Sequence, residues 1–333
     1  MKKKSLLMLA AVAPWILAGC NTGSNETESN EDALEVYTTV YPLQYFAEEI
    51  GGEYVSVETI YPPGADEHTF EPSQRDMIDL AEGDVFFYIG LGLEGFVENA
   101  TDVLASENLN MVATADAISD AELEEGHAEH EGEEHSDEHA HEEDEHAHEE
   151  GHEGHDHGDT DPHVWLDPVL SKSLAESVKD TLIEEMPEQE AYFTENYENL
   201  VERLDELDHQ FEELASEAEI NQFFVSHAAF GYWESRYGIE QQAIAGISTT
   251  DEPSQRELTE LIESASSQNV EYILVEQNVT TKLTDVIQEE IGAETLAVHN
   301  LSTLTEENIE NEETYFSLME KNIESLRTAM NAE

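Results

Sequence analysis

The sequence predicts an α/β protein of two lobes, each a parallel-type sheet flanked by helices, joined by a long backbone helix. Two observations predict it. Short apolar runs alternate with helical segments in both halves of the chain, and that rhythm builds parallel sheets with helices on both faces. Over 187–219, Phe193, Tyr197, Leu200, Leu204, Leu207, Phe211 and Leu214 recur at alternating steps of four and three. That spacing gives one helix a single apolar stripe, and no further sustained heptads follow, so the helix reads as a spine between the lobes. The chain of 333 residues is long enough for two ordinary domains.

The N-terminal 1–19 reads as an export signal. Lys2, Lys3 and Lys4 precede an apolar run over 6–18, which is shorter than the roughly 20 residues a membrane span needs. Leu17-Ala18-Gly19-Cys20 resembles a bacterial lipobox, in which the cysteine is lipidated and becomes the new N-terminus. The polar stretch 20–32 is then a tether to the membrane. The N-terminal lobe is expected over 33–120. It starts with a strand at 34–40, followed by a helix that Pro42 opens and Gly51-Gly52 stops. A second, alternating strand covers 54–60. A Pro/Gly loop with a single histidine, His68, follows, and Ser73 can cap the next helix to Ala81. A strand at 84–90, a helix at 95–105 and a short strand at 111–113 complete the lobe. Loops at strand C-terminal ends hold ligands in such sheets, and His68 lies in one.

Residues 121–160 are predicted to be a disordered insert, too poor in apolar side chains to fold alone. A second loop and a helix are expected over 161–186, then the spine over 187–219. The C-terminal lobe, 220–333, repeats the rhythm. Strands are expected at 222–226, 242–247, 270–276 and 295–298, with helices at 253–268, 282–291 and 306–330. His227 and His299 each directly follow a strand.

Composition narrows the function. Twelve Lys plus Arg against 79 Asp plus Glu give a formal charge of -67, so no basic surface is available for nucleic acid. Such a surface attracts cations, and it also keeps a protein soluble in a salty or alkaline habitat. Cys20 is the single cysteine, so neither an internal disulfide nor a cysteine-based zinc site is possible. Any metal must be held by His, Asp and Glu. His127, His130, His135, His139, His141, His146, His148, His152, His155 and His157 crowd the insert and read as a low-affinity metal loop. His68, His163, His227 and His299 stand outside it at loop positions, whereas His209 lies on a charged stretch of the spine and reads as solvated. A lone loop histidine is ordinarily a hydrogen-bonded surface residue. The combination of several, from both halves of a chain without other cysteines, points to a fixed metal site. Imidazole suits Zn, Cu, Ni and Fe better than Mg or Ca.

Three segments carry a family resemblance. They are Pro63-Gly64-Ala65-Asp66-Glu67-His68-Thr69-Phe70-Glu71-Pro72, Asp161-Pro162-His163-Val164-Trp165-Leu166-Asp167-Pro168, and Ser226-His227-Ala228-Ala229-Phe230-Gly231-Tyr232. Together with Asp251-Glu252-Pro253-Ser254, they resemble the solute-binding lipoproteins of bacterial zinc ABC importers, of the ZnuA and AdcA type. The likeness covers nearly everything after the tether. It implies a metal in the cleft between the lobes, bound Zn2+, no enzyme activity, and partnership with an ABC permease and its ATPase. It also implies a monomer, lipid-anchored on the extracytoplasmic face of the cell membrane. The family often has Asp or Glu as a fourth ligand after the last strand. Here that loop reads Val298-His299-Asn300-Leu301-Ser302, so the fourth ligand is expected to be His299, with water or Glu276 as alternatives.

Two other readings compete. Three histidines and a water would also suit a catalytic zinc at the cell surface. Against that, no His-Glu-x-x-His string lies in a segment expected to be helical, and the only acid beside a ligand is Glu67, expected to be a loop-surface or supporting residue. A manganese-binding receptor or adhesin is the third reading, and the sequence does not address adhesion. Deleting 122–158 tests the insert. Calorimetry should still find the tight site, while uptake slows only when zinc is scarce; loss of all tight binding would sink the assignment of a separate loop.

Overall fold

In the computed structural model, residues 33–125, 160–251, 253–276 and 282–332 are described. The export signal 1–19, the lipidation site Cys20, the tether 20–32 and the ten histidines between His127 and His157 lie outside them.

Strand β1 (Leu34–Thr38) leads through α1 (Tyr41–Gly51) to β2 (Val55–Thr59). Pro42 sits in the first turn of α1, where a missing N–H costs nothing. Gly52 ends the helix at φ +53°, and a Cβ there would lie 2.2 Å from the Tyr192 hydroxyl. Helix α2 (Gln74–Ala81) starts at a capping box in which Ser73 and Asp76 bond each other's backbone N–H. Then come β3 (Val85–Tyr88), α3 (Val97–Leu104), β4 (Asn110–Ala113) and α4 (Asp120–Glu125). Helix α4 extends into the stretch expected to be disordered from 121 on, and it is held there by Leu123, which is buried.

The N-terminal sheet is parallel throughout, in the order β2-β1-β3-β4. Val36 on β1 pairs with Val57 on one side and Val85 on the other. Helix α5 (Pro168–Glu185) follows, and the spine is α6 (Glu190–Glu217), preceded by a 3-10 turn at Pro187–Gln189. Six of the seven stripe residues read from the sequence are buried along α6, and Tyr197 packs beside them.

The C-terminal lobe runs β5 (Gln222–His227), α7 (Gly231–Tyr237), β6 (Glu240–Ala245), α8 (Gln255–Gln268), β7 (Tyr272–Glu276), α9 (Lys282–Ile291) and β8 (Glu294–Val298). Its sheet is also parallel, in the order β6-β5-β7-β8. The order reverses direction between β5 and β7, the position where ligands bind in open α/β sheets. The short α7 was not anticipated from sequence. The single helix expected over 306–330 is instead two, α10 (Glu306–Glu310) and α11 (Tyr315–Ala329). Glu312 adopts a left-handed φ of +53°, and Thr314 and Ser317 form a new capping box that restarts the helix.

One large hydrophobic core runs from β1 and β3 through α1, α5 and α6 to α7, β5 and α11, so it spans both lobes. A second, smaller core lies between α8, α9 and the C-terminal sheet, built on Phe224, Ile244, Ala265, Ile273 and Ile287. Leu207 is 1% exposed at the middle of the spine. Leu207→Ala should cost about 2–5 kcal/mol of unfolding free energy in denaturant titration, because the cavity cannot collapse between two lobes.

Candidate metal centre

Each histidine-bearing segment is fixed by its own local chemistry. In the loop after β2, Asp66 Oδ1 accepts from the backbone N–H of His68 at 3.1 Å and of Thr69 at 3.0 Å. This is an Asx-type turn, and it sets the direction of Glu67 and His68. In the Asp161 to Pro168 segment, Asp161 Oδ1 accepts from the His163 backbone N–H at 3.0 Å and faces its Nδ1 at 2.7 Å. Asp167 caps α5, accepting from the N–H groups of Val169 at 2.7 Å and Leu170 at 3.1 Å. Pro168 at the first helical position completes that start.

Helix α7 clamps this segment from the C-terminal lobe. Tyr232 donates to the Asp161 carbonyl at 2.7 Å, Trp233 to the Leu166 carbonyl at 2.8 Å, and Arg236 to Asp167 Oδ2 at 2.5 Å. His227 ends β5. Its Nδ1 lies 2.6 Å from Glu276 Oε1, at the end of the neighbouring β7. Ser226 donates to the same oxygen at 2.6 Å.

These constraints bring together Glu67, His68, His163 and His227, whose ligand atoms all lie within 4.8 Å of one another. The rings of His68 and His163 are 5.2 Å apart, those of His163 and His227 5.3 Å, and those of His68 and His227 6.1 Å. Nε2 of His163 and Nε2 of His227 stand 3.5 Å apart. Both Nδ1 atoms face carboxylates, so in the neutral rings the protons belong on Nδ1 and the Nε2 lone pairs face each other. Glu67 Oε1 is 4.0 Å from Nε2 of His68 and 4.0 Å from Nε2 of His163. His68 Nε2 is buried without a hydrogen-bond partner. An unpartnered buried ring nitrogen of that kind costs free energy unless something fills the space it points to.

The electrostatics fit the same use. Burial, followed by the neighbouring His163 and His227, pushes the His68 pKa down to about 4, so its ring is neutral at neutral pH. Burial opposes charge on His227, but the Glu276 carboxylate outweighs it and holds that pKa above the ordinary histidine value. Burial raises the pKa of Glu67, opposed by His163 and His227. Three imidazole nitrogens and one carboxylate oxygen form a four-coordinate donor set of the kind zinc takes. Carboxylates behind two of the imidazoles raise ligand basicity and fix ring orientation.

The structure thus gathers three of the four expected histidines. His299 is not among them. Its Nδ1 accepts from the Leu301 N–H at 2.9 Å and its Nε2 faces Asn308 Oδ1 at 3.0 Å, so both ring nitrogens are occupied away from the cluster. Glu276, the alternative, stands behind His227 as its hydrogen-bond partner. Glu67, expected to be a loop-surface or supporting residue, is 4% exposed and points into the cluster. The only sequence signal for it was its place beside His68. Asp161 carries no sequence signal beyond its place in the motif, although an acid two residues before a histidine can turn back onto it. His209 is exposed on α6, beside Glu212 at 3.0 Å.

Comparison with known proteins was made against this geometry. Residues 36–329 match the family described as zinc-uptake complex component A, periplasmic. The chain is 34% identical over 332 residues to the zinc-binding lipoprotein AdcA of Streptococcus pneumoniae, covering 99% of this chain and 62% of that protein. It is 30% identical over 331 residues to the high-affinity zinc uptake system protein ZnuA of Bacillus subtilis, covering 99% of this chain and 98% of that one. The crystal structure of the Zn(II)-bound ZnuA-like domain of Streptococcus pneumoniae AdcA superposes with a TM-score of 0.69 at 29% identity, over 90% of this chain and 99% of that domain. The chain therefore spans less than two thirds of the AdcA relatives it matches.

Burial lowers the His299 pKa from 6.5 to about 4, so between those values the unfolded chain binds a proton that the folded chain refuses. Stability contributed by this ring is present above 6.5 and falls as pH drops toward 4. Over that interval the melting temperature of the native protein should decline more steeply than that of His299→Asn. Parallel curves would show that His299 does not contribute.

Proposed function

This chain belongs to the family of the periplasmic zinc-uptake complex component A, and on that premise we propose that it captures Zn2+ outside the cell and delivers it to an ABC permease and its ATPase. His68, His163 and His227 bind the ion through Nε2, and Glu67 supplies the fourth ligand through Oε1. The observation that carries this reading is the unpartnered, buried Nε2 of His68, aimed at the other three donors. Zinc here is cargo, so the ligands must hold it tightly and still let it go when the lobes part at the permease.

The chain binds without catalysing a reaction. All four candidate donors are protein groups, which leaves no ready position for the water that a zinc hydrolase activates. The set favours zinc over manganese, because manganese prefers oxygen-rich shells and lies lower in the order of divalent affinities. The insert rich in histidine gathers zinc weakly near the cleft and raises its local concentration. Lipid on Cys20 keeps the receptor at the membrane, and a relative of this chain is named a lipoprotein.

Calorimetric titration with Zn2+ and Mn2+ tests the assignment. The native protein should show one tight zinc site and several weaker ones, with manganese far weaker at the tight site. His163→Ala should weaken the tight site by more than about 100-fold and leave the weak sites alone. Only weak sites, unchanged in the variant, would refute a receptor cleft.

A further inference from the structure

We infer that Asn300 and Ser302, on the loop after β8, are positioning residues that aim Glu67 at the three histidines. The inference rests on reading Glu67 as the fourth ligand. Glu67 comes from the N-terminal lobe, and its two oxygens are both held from the C-terminal lobe. Asn300 Nδ2 donates to Oε1 at 3.1 Å, and Ser302 Oγ stands 2.9 Å from Oε2, with Asn300 Oδ1 as a second acceptor at 2.9 Å. Both donors are buried. Being neutral, they orient the carboxylate without cancelling its charge, so the charge remains available to a cation.

The loop that carries them is tied down on all sides. Leu301 adopts φ +60°, which a side chain with a Cβ rarely takes. Its N–H donates to His299 Nδ1 at 2.9 Å, which supports that turn. Asn322 brackets His299, accepting from its backbone N–H at 2.8 Å and donating to its carbonyl at 2.8 Å. Ser302 N–H donates to Asn300 Oδ1 at 3.1 Å, which fixes the two donors relative to each other. The Trp165 indole donates to the Asn300 carbonyl at 2.7 Å, so the same loop also grips the segment that bears His163. From α1, Tyr41 N–H donates to the Ser302 carbonyl at 2.9 Å.

This arrangement explains where the fourth ligand comes from. The loop after β8 carries no acidic side chain from His299 to Thr305, yet it reaches the cluster through an acid of the opposite lobe. Because donors and acceptor belong to different lobes, parting the lobes removes both hydrogen bonds from Glu67 together. Glu67 is then aimed only in the closed form, and zinc retention is linked to closure through these bonds.

The test compares Ser302→Ala, Asn300→Ala, Glu67→Ala and the doubles with Glu67→Ala, using purified protein and a chromogenic chelator as competitor for Zn2+. Each single variant should weaken zinc binding by about 10- to 100-fold, the range seen when groups behind metal ligands are removed. In the Glu67→Ala background, Ser302→Ala should add nothing, because its effect passes through Glu67. Ser302→Thr, which keeps the hydroxyl, should restore affinity. With Co2+ in place of Zn2+, the visible absorption of Ser302→Ala should move toward that of Glu67→Ala. If Asn300→Ala fails to fold, Ser302→Ala decides. Positioning is overturned, with the ligand assignment intact, if Glu67→Ala weakens binding while Ser302→Ala does not. It is equally overturned if Ser302→Ala causes the same loss in both backgrounds. Unchanged zinc affinity in Glu67→Ala overturns both readings.

Discussion

Nε2 of His163 and Nε2 of His227 face each other across 3.5 Å, and the Nδ1 of each ring is backed by a carboxylate. With both rings neutral, two lone pairs at that distance repel, and Nε2 of His68 joins them without a partner. Such a cluster persists only where the surrounding structure fixes every ring from behind. Asp161 and Glu276 do so for two of the rings, and the Asp66 turn does so for the backbone of the third. The backbone must then hold these supports in register, although the residues involved run from 66 to 276 in sequence. Parallel sheets solve part of this, since they present all strand C-terminal ends on one side. The spine and the core shared by both lobes solve the rest.

The second ligand segment is the point where the lobes meet. His163 lies in it, Asp167 starts α5 from it, and α7 grips it through Tyr232, Trp233 and Arg236. Asp167 is almost fully buried, and burial raises its pKa while Arg236 opposes that rise. A buried carboxylate paired with a partly exposed guanidinium loses much if the partner is removed, because the remaining charge has nowhere to go. The apolar residues of that segment, Val164, Trp165 and Leu166, are fully buried, so the motif that looked like a ligand signature is also a core element. Its residue types therefore serve packing as well as the histidine cluster.

Much of this was legible in the sequence because it follows from periodicity and local chemistry. The stripe on the spine, the alternation of strands and helices, and the cap at Ser73 are all short-range patterns. His68, His163 and His227 stood out because each occupies a loop next to a strand end or between prolines. The place of Glu67 in the cluster was not legible. Glu67 and His68 are neighbours in a loop, where no period of 2 or 3.6 dictates which side chain turns inward. The Asp66 turn and the reach of Asn300 and Ser302 from more than 230 residues away settle it. His299 looked equivalent to the other three histidines by position, yet its ring turns back onto its own loop. The break between α10 and α11 depends on a left-handed Glu312 that composition does not announce.

The two hydrophobic cores of the protein share no buried residue. The smaller one seals α8 and α9 against one face of the C-terminal sheet, including its central strands β5 and β7. A layer held by so few side chains can open as a unit of its own while the large core stays shut. Amide hydrogens of α8 and α9 will therefore exchange with solvent before those of α5 and α6. Opening of that layer would bare one face of β5 and β7, the two strands that end in His227 and Glu276.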